Sequence, residues 1–121
     1  MTGPDRHVTS RGEVVWGRDP FRSGTNPRPW VVVASARLPY PSRDSLAVAC
    51  TTSSHHASAV RIPSGAWVAG DPNRESHVLP WTVTTLRDGE DVVGVQGRVR
   101  NQFVERLVDD LCAVLGRPPE T

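Results

Sequence analysis

The chain has 121 residues, enough for one domain around a single hydrophobic core and too few for two. Its 14 basic and 13 acidic residues leave a net charge of +1, so no global field argues for nucleic acid. The balance is local instead. Residues 1–74 hold nine Arg against five acids, net +4, and residues 75–121 hold five Arg against eight acids, net −3. The first part is thus the better placed to face an anion.

Every basic residue is arginine. A guanidinium suits phosphate because it donates two parallel hydrogen bonds, but scattered arginines are explained more simply by coding bias. Cys50 and Cys112 lie in apolar runs without zinc or redox spacing, which predicts buried free thiols in a reducing compartment. The polar Met1–Ser10 has no apolar signal-like segment, and no run is long enough to span a membrane. The expectation is a cytoplasmic protein with no membrane contact.

In chain order, residues 1–10 read as a flexible N-terminal arm, 11–116 as the single domain and 117–121 as a C-terminal tail. Gly12–Trp16 predicts a first short strand. Gly17–Asn26 is rich in Gly, Pro, Asp and Ser and predicts a loop. It carries Arg18, Phe21 and Arg22, a mixture able to stack a base and meet phosphate, although a lone loop Phe more often tucks onto the core. Next comes Asn26-Pro27-Arg28-Pro29, in which two prolines stiffen the backbone around one arginine. It leads into Trp30–Ala34, an apolar run that suits a strand buried on both faces. Arg28 therefore sits at a strand mouth, held by the fold and able to offer a fixed fork of donors to phosphate or carboxylate.

Leu38–Asp44 predicts a turn and Ser45–Thr51 a third strand. Thr52–Ser58 is a polar loop, Ala59–Ile62 a short fourth strand, and Pro63–Glu75 a Gly/Pro-rich excursion around Trp67. His77–Leu86 has strand propensity, but Pro80 confines it to an edge or to a break in the ladder. Asp88-Gly89 signals a hairpin turn before a last strand, Val92–Val99. Asn101 reads as an N-cap, and Val104, Leu107, Val108, Leu111, Val114 and Leu115 form one helical stripe closed by Gly116 and Pro118. Five or six short strands and a terminal helix predict a mainly β fold, a small curled sheet or barrel.

The strand ending Ala49-Cys50-Thr51-Thr52-Ser53 runs into Ser54-His55-His56. Consecutive hydroxyls there offer donors for an anion, though Thr and Ser after a strand are also ordinary turn formers. Adjacent histidines on extended backbone point to opposite sides and do not readily chelate one ion, so no metal site is expected. Either imidazole has the chemistry of a general acid or base, and a solvated loop histidine is the more ordinary reading.

Together these segments resemble the PemK/MazF-like endoribonuclease toxins over about residues 11–116. The matching residues are Arg11-Gly12-Glu13-Val14-Val15-Trp16, Asp19-Pro20, Arg28-Pro29 with Val31-Val32-Val33, and Val48-Ala49-Cys50-Thr51-Thr52-Ser53, followed by the terminal helix. The resemblance implies an SH3-like β-barrel with a C-terminal helix, usually a homodimer. It implies metal-independent, cofactor-free cleavage of single-stranded RNA at short sequences, restrained by a cognate antitoxin. It puts the catalytic arginine on Arg28 and the catalytic threonine on Thr51. Thr52, Ser53, His55 and His56 are candidates for proton transfer or RNA contact, a role the resemblance itself does not assign. Arg18, Phe21, Arg22, Trp67 and Trp81 are candidates for RNA binding, with core packing the competing role for both tryptophans. Two segments depart from the family pattern: Ser23-Gly24-Thr25 replaces an acidic loop residue, and Leu79-Pro80-Trp81-Thr82-Val83 stands where many members have Leu-Asp-Gln-Ile/Val.

Two rival functions are a non-catalytic barrel that binds RNA or a protein, and a small metal-dependent hydrolase using His55, His56 or His77. The second ranks last, because no carboxylate–histidine spacing supports it.

Overall fold

The computed structural model describes residues 8–21, 26–40, 43–52, 57–70 and 75–117. Seven strands and one helix follow in the order β1 (Glu13–Gly17), β2 (Arg28–Ala34), β3 (Asp44–Thr51), β4 (Val60–Arg61), β5 (Trp67–Ala69), β6 (His77–Arg87), β7 (Val92–Val99) and α1 (Asn101–Val114), with a 3₁₀ turn at Ser64–Ala66 before β5. The strands make one antiparallel sheet in the order β4-β6-β3-β2-β1-β7-β5. The sheet curls into a small mainly β, half-barrel fold with a C-terminal helix, as the strand pattern predicts. No helix among the described residues is long and apolar enough to cross a membrane.

The apolar run of β2 is buried on both sides, since Trp30, Val31, Val32 and Val33 are all buried. Alternation splits its residues between two clusters. Val31 and Val33 join Val14, Val48, Cys50 and Val78 beneath the helix residues Phe103, Val104 and Leu107. Trp30 and Val32 join Val15, Ala47, Ala49 and Leu86 on the opposite face. Burying these side chains, at about 1.5–3 kcal/mol for each large one, is what holds the sheet curled and the helix docked.

Four details differ from the sequence reading. β5 lies inside the Pro63–Glu75 excursion and pairs with β7, where the backbones cross so closely that a Cβ on Gly97 would lie 2.4 Å from the Ala69 carbonyl oxygen. The Asp88-Gly89 turn forms, with Gly89 at φ +87, but no hairpin follows it, because β7 pairs with β1 and β5. The helix starts after Arg100, which makes no side-chain cap, and Asn101 is its first residue, with Oδ1 accepting from Arg11 Nε at 3.0 Å. Finally, the end of the expected N-terminal arm is anchored. Thr9 is buried and its N–H donates to Asp88 Oδ2 at 2.9 Å.

Pro80 does sit at a break in the ladder. Ala47 pairs with Thr84 and Ala49 with Leu79, so β6 bulges around Pro80–Val83 opposite Val48. The Thr82 hydroxyl bridges the gap, accepting from Ala49 N–H at 2.8 Å and donating to the Leu79 carbonyl at 2.6 Å.

Candidate functional site

Arg28 opens β2 opposite Gly17 of β1. Pro29 follows it and keeps the backbone extended. Asp19 closes the other side: its Oδ1 accepts from Phe21 N–H at 2.9 Å, an Asx turn, and its Oδ2 lies 3.7 Å from Arg28 Nη1. The Asp19 side chain is only 8% exposed and that of Arg28 18%, so this pairing aims the guanidinium from a mostly dry position. Arg28 Nε is buried and has no hydrogen-bond partner among the described residues. One edge of the fork is thus a donor in waiting.

Thr51 ends β3. Trp30 pairs with Ala49, and carrying that register two residues on brings Arg28 level with Thr51. On the other side Thr51 pairs directly with His77, and His77 pairs with Arg61 of β4. Directly opposed residues share a face, so one transverse row reads Arg61, His77, Thr51, Arg28 across four adjacent strands. A row of two arginines, a hydroxyl and an imidazole is a set of donors suited to a phosphate group.

The floor beneath the row is apolar. Trp30 is fully buried, and the Phe21 ring lies over it with centroids 6.2 Å apart. Gly17 makes room for this indole: a Cβ there would stand 3.0 Å from Trp30 Cδ1. Just behind the row is Cys50, whose thiol is pushed up to about 12 by burial, with the nearby Arg28 charge and the Val31 backbone pulling weakly the other way. It is a packing group and not a nucleophile at neutral pH.

The remaining sequence-derived residues are dispersed. Thr52 is exposed beside Thr51, whereas Ser53, His55, His56 and Arg22 lie outside the described residues. Arg18 is exposed and paired with Asp91 at 3.2 Å. Phe21 is 54% exposed on its outer side. Trp67 packs against the helix-side core, and Trp81 is 39% exposed beside Pro80 in a cleft shared with Val60, Arg106 and Val114. Among the described residues no group of three or more His, Cys, Asp or Glu is arranged to hold a metal ion.

His77 is the site residue that the sequence reading named only in the metal-dependent hydrolase it ranked last. Its neighbourhood comes from strands distant in the chain, and the only local signal is that it begins a strand whose next residues are apolar.

Solved structures that match this fold over nearly their whole length include two mycobacterial endoribonucleases. One is an endoribonuclease in complex with its cognate antitoxin from a mycobacterial species; at 22% identity and a TM-score of 0.65, the match covers 93% of this chain and 98% of that one. The other is an endoribonuclease from a mycobacterial species, also 22% identical, with a TM-score of 0.62 and coverage of 96% and 99%. The fold is shared with these endoribonucleases. No protein-family model and no curated protein matches the sequence.

Proposed function

We propose that the chain is a PemK/MazF-like endoribonuclease toxin that cleaves single-stranded RNA at selected sequences, without a metal or other cofactor. The observation that carries this reading is the pairing of Trp30 with Ala49, a register that, continued two residues, sets Arg28 level with Thr51, in a fold shared with endoribonucleases. In this mechanism the RNA's own 2′-hydroxyl attacks the adjacent phosphorus. Negative charge grows on the non-bridging oxygens, and the Arg28 fork and the Thr51 hydroxyl stabilise it from fixed positions above an apolar floor. Such a donor is worth about 10²–10³ in rate. Using the 2′-hydroxyl as nucleophile makes RNA the substrate and leaves DNA uncut. A cognate antitoxin restrains the enzyme, a reading supported by the first of the two similar structures being in complex with its cognate antitoxin, and the active species is a homodimer.

The test is a pool of end-labelled single-stranded RNAs incubated with wild type and Arg28→Ala in EDTA. Wild type gives defined fragments ending in 2′,3′-cyclic phosphate, and Arg28→Ala gives about 10²–10³ less product. Equal cleavage by both proteins overturns the role of Arg28. RNA retained without any product replaces the nuclease with a binding module.

A further inference from the structure

The row that holds Thr51 also holds a group able to move a proton. His77 stands directly opposite Thr51, and its side chain is only 12% exposed. A mostly buried imidazole needs a reason to be there, and packing alone does not supply one. Nδ1 is buried without a partner among the described residues, a position that an apolar side chain would fill at lower cost. Nε2 faces the Glu75 carboxylate at 4.0 Å. Glu75 is itself held by Arg61, whose Nε donates to Oε1 at 2.6 Å. Among the described residues, the charged groups around the ring are Glu75 on its own segment, Arg61 on β4 and, one strand beyond Thr51, Arg28 on β2.

We propose that His77 is the general acid of RNA cleavage. The proposal rests on the endoribonuclease reading above. With phosphate held between Arg28 and Thr51, the imidazolium of His77 is next in the row. As the 2′-oxygen bonds to phosphorus, the P–O5′ bond breaks and its electron pair leaves with the 5′-oxygen. That oxygen takes the Nε2 proton of His77, the 2′-hydroxyl proton passes to water, and solvent reprotonates the ring. Glu75 stands 4.0 Å from Nε2, too far to hydrogen-bond it, and so leaves that proton for the departing oxygen. Arg61 keeps the carboxylate in place.

The experiment uses full-length protein and an RNA that it cleaves, made in two forms, with oxygen or sulfur at the bridging 5′ position of the cut. A thiolate leaves without being protonated, so a missing general acid matters only for the oxygen form. His77→Gln and His77→Asn are expected to lose about 10²-fold on the oxygen RNA while cutting the sulfur RNA at the wild-type rate. The wild-type rate on the oxygen RNA falls on the alkaline side of its pH profile, and the variants lack that limb. An unchanged rate on the oxygen RNA, or equal losses on both RNAs in both variants, overturns the assignment. So does finding that pattern in His55→Gln or His56→Gln instead. Wild type that cuts neither RNA removes the endoribonuclease reading itself and the general acid with it.

Discussion

Asp88 offers the sharpest test of how the sheet is closed. It is 1% exposed, at the turn between β6 and β7. Its Oδ2 accepts from Thr9 N–H at 2.9 Å, and its Oδ1 accepts from Thr9 Oγ1 at 3.0 Å and Ser45 Oγ at 3.3 Å. Thr9 and Ser45 are buried as well. Hydrogen bonds to a carboxylate contribute about 1.5–3 kcal/mol each, so three of them would sum to roughly 5–9 kcal/mol if independent. They are not independent. The two hydroxyls also bond to each other and keep that partner when Asp88 is gone, whereas Thr9 N–H keeps none among the described residues. The expected cost of Asp88→Ala is therefore about 3–5 kcal/mol. An unfolding entropy of roughly 2.1 cal/mol/K per residue, over 121 residues, converts that to a fall in Tm of about 12–20 °C. Calorimetry and urea titration would measure it, with Asp88→Asn retaining one acceptor and losing about half as much. A double-mutant cycle with Thr9→Val should give a coupling above about 1 kcal/mol. A Tm within about 4 °C of wild type would refute the anchoring of the arm through Thr9.

Thr82→Val deletes the hydroxyl that bridges the β6 bulge and leaves the Ala49 N–H without its partner; urea titration should show a loss of about 1–3 kcal/mol, most of it recovered by Thr82→Ser. The Cys50 thiol, pushed up to about 12 by burial, is raised above its unfolded value near 9, so its contribution is fully present below pH 9 and lost as pH rises from there to 12. Stability should drop by about 1.4 kcal/mol per pH unit in that window from this group, and Cys50→Ala should remove that part of the slope.

The parts of the fold legible in the sequence are those whose causes are local. Trp30–Val33 is apolar without a gap and becomes a doubly buried strand, and the helical stripe through Val104, Leu107 and Val108 becomes the docked face of α1. Pro80 marks a ladder break because its missing N–H is a local fact. What was not legible depends on partners far along the chain. Asp88-Gly89 has hairpin chemistry, but the pairing is decided by where β7 finds an open edge, and it finds β1. β5 has three residues among glycines and prolines, too few to show alternation. Thr9 is an unremarkable polar residue until Asp88, 79 positions away, accepts from it. The site divides the same way. Arg28 stands out through its two prolines and Thr51 through its strand-end position, while His77 acquires its meaning only from the register that sets it opposite Thr51.

That register also explains why chemistry would concentrate at one end of the sheet. On the face that holds Trp30, β2 runs from Val32 through Trp30 to Arg28, and β3 from Ala47 through Ala49 to Thr51. β6 runs from Leu79, opposite Ala49, to His77. Each strand changes from apolar to hydrogen-bonding at the same transverse level. An apolar floor below the polar row keeps water off one side of it, which strengthens every interaction between the row and an anion. It also holds the donors still, because Arg28 cannot swing down into packed Trp30 and is tied laterally to Asp19. Preorganised donors over a low-dielectric floor cost little to align when charge develops in front of them. In the proposed mechanism, disturbing that floor should therefore slow cleavage without touching a donor. Gly17→Ala, whose Cβ would stand 3.0 Å from Trp30 Cδ1, is the substitution that presses on the floor from the side.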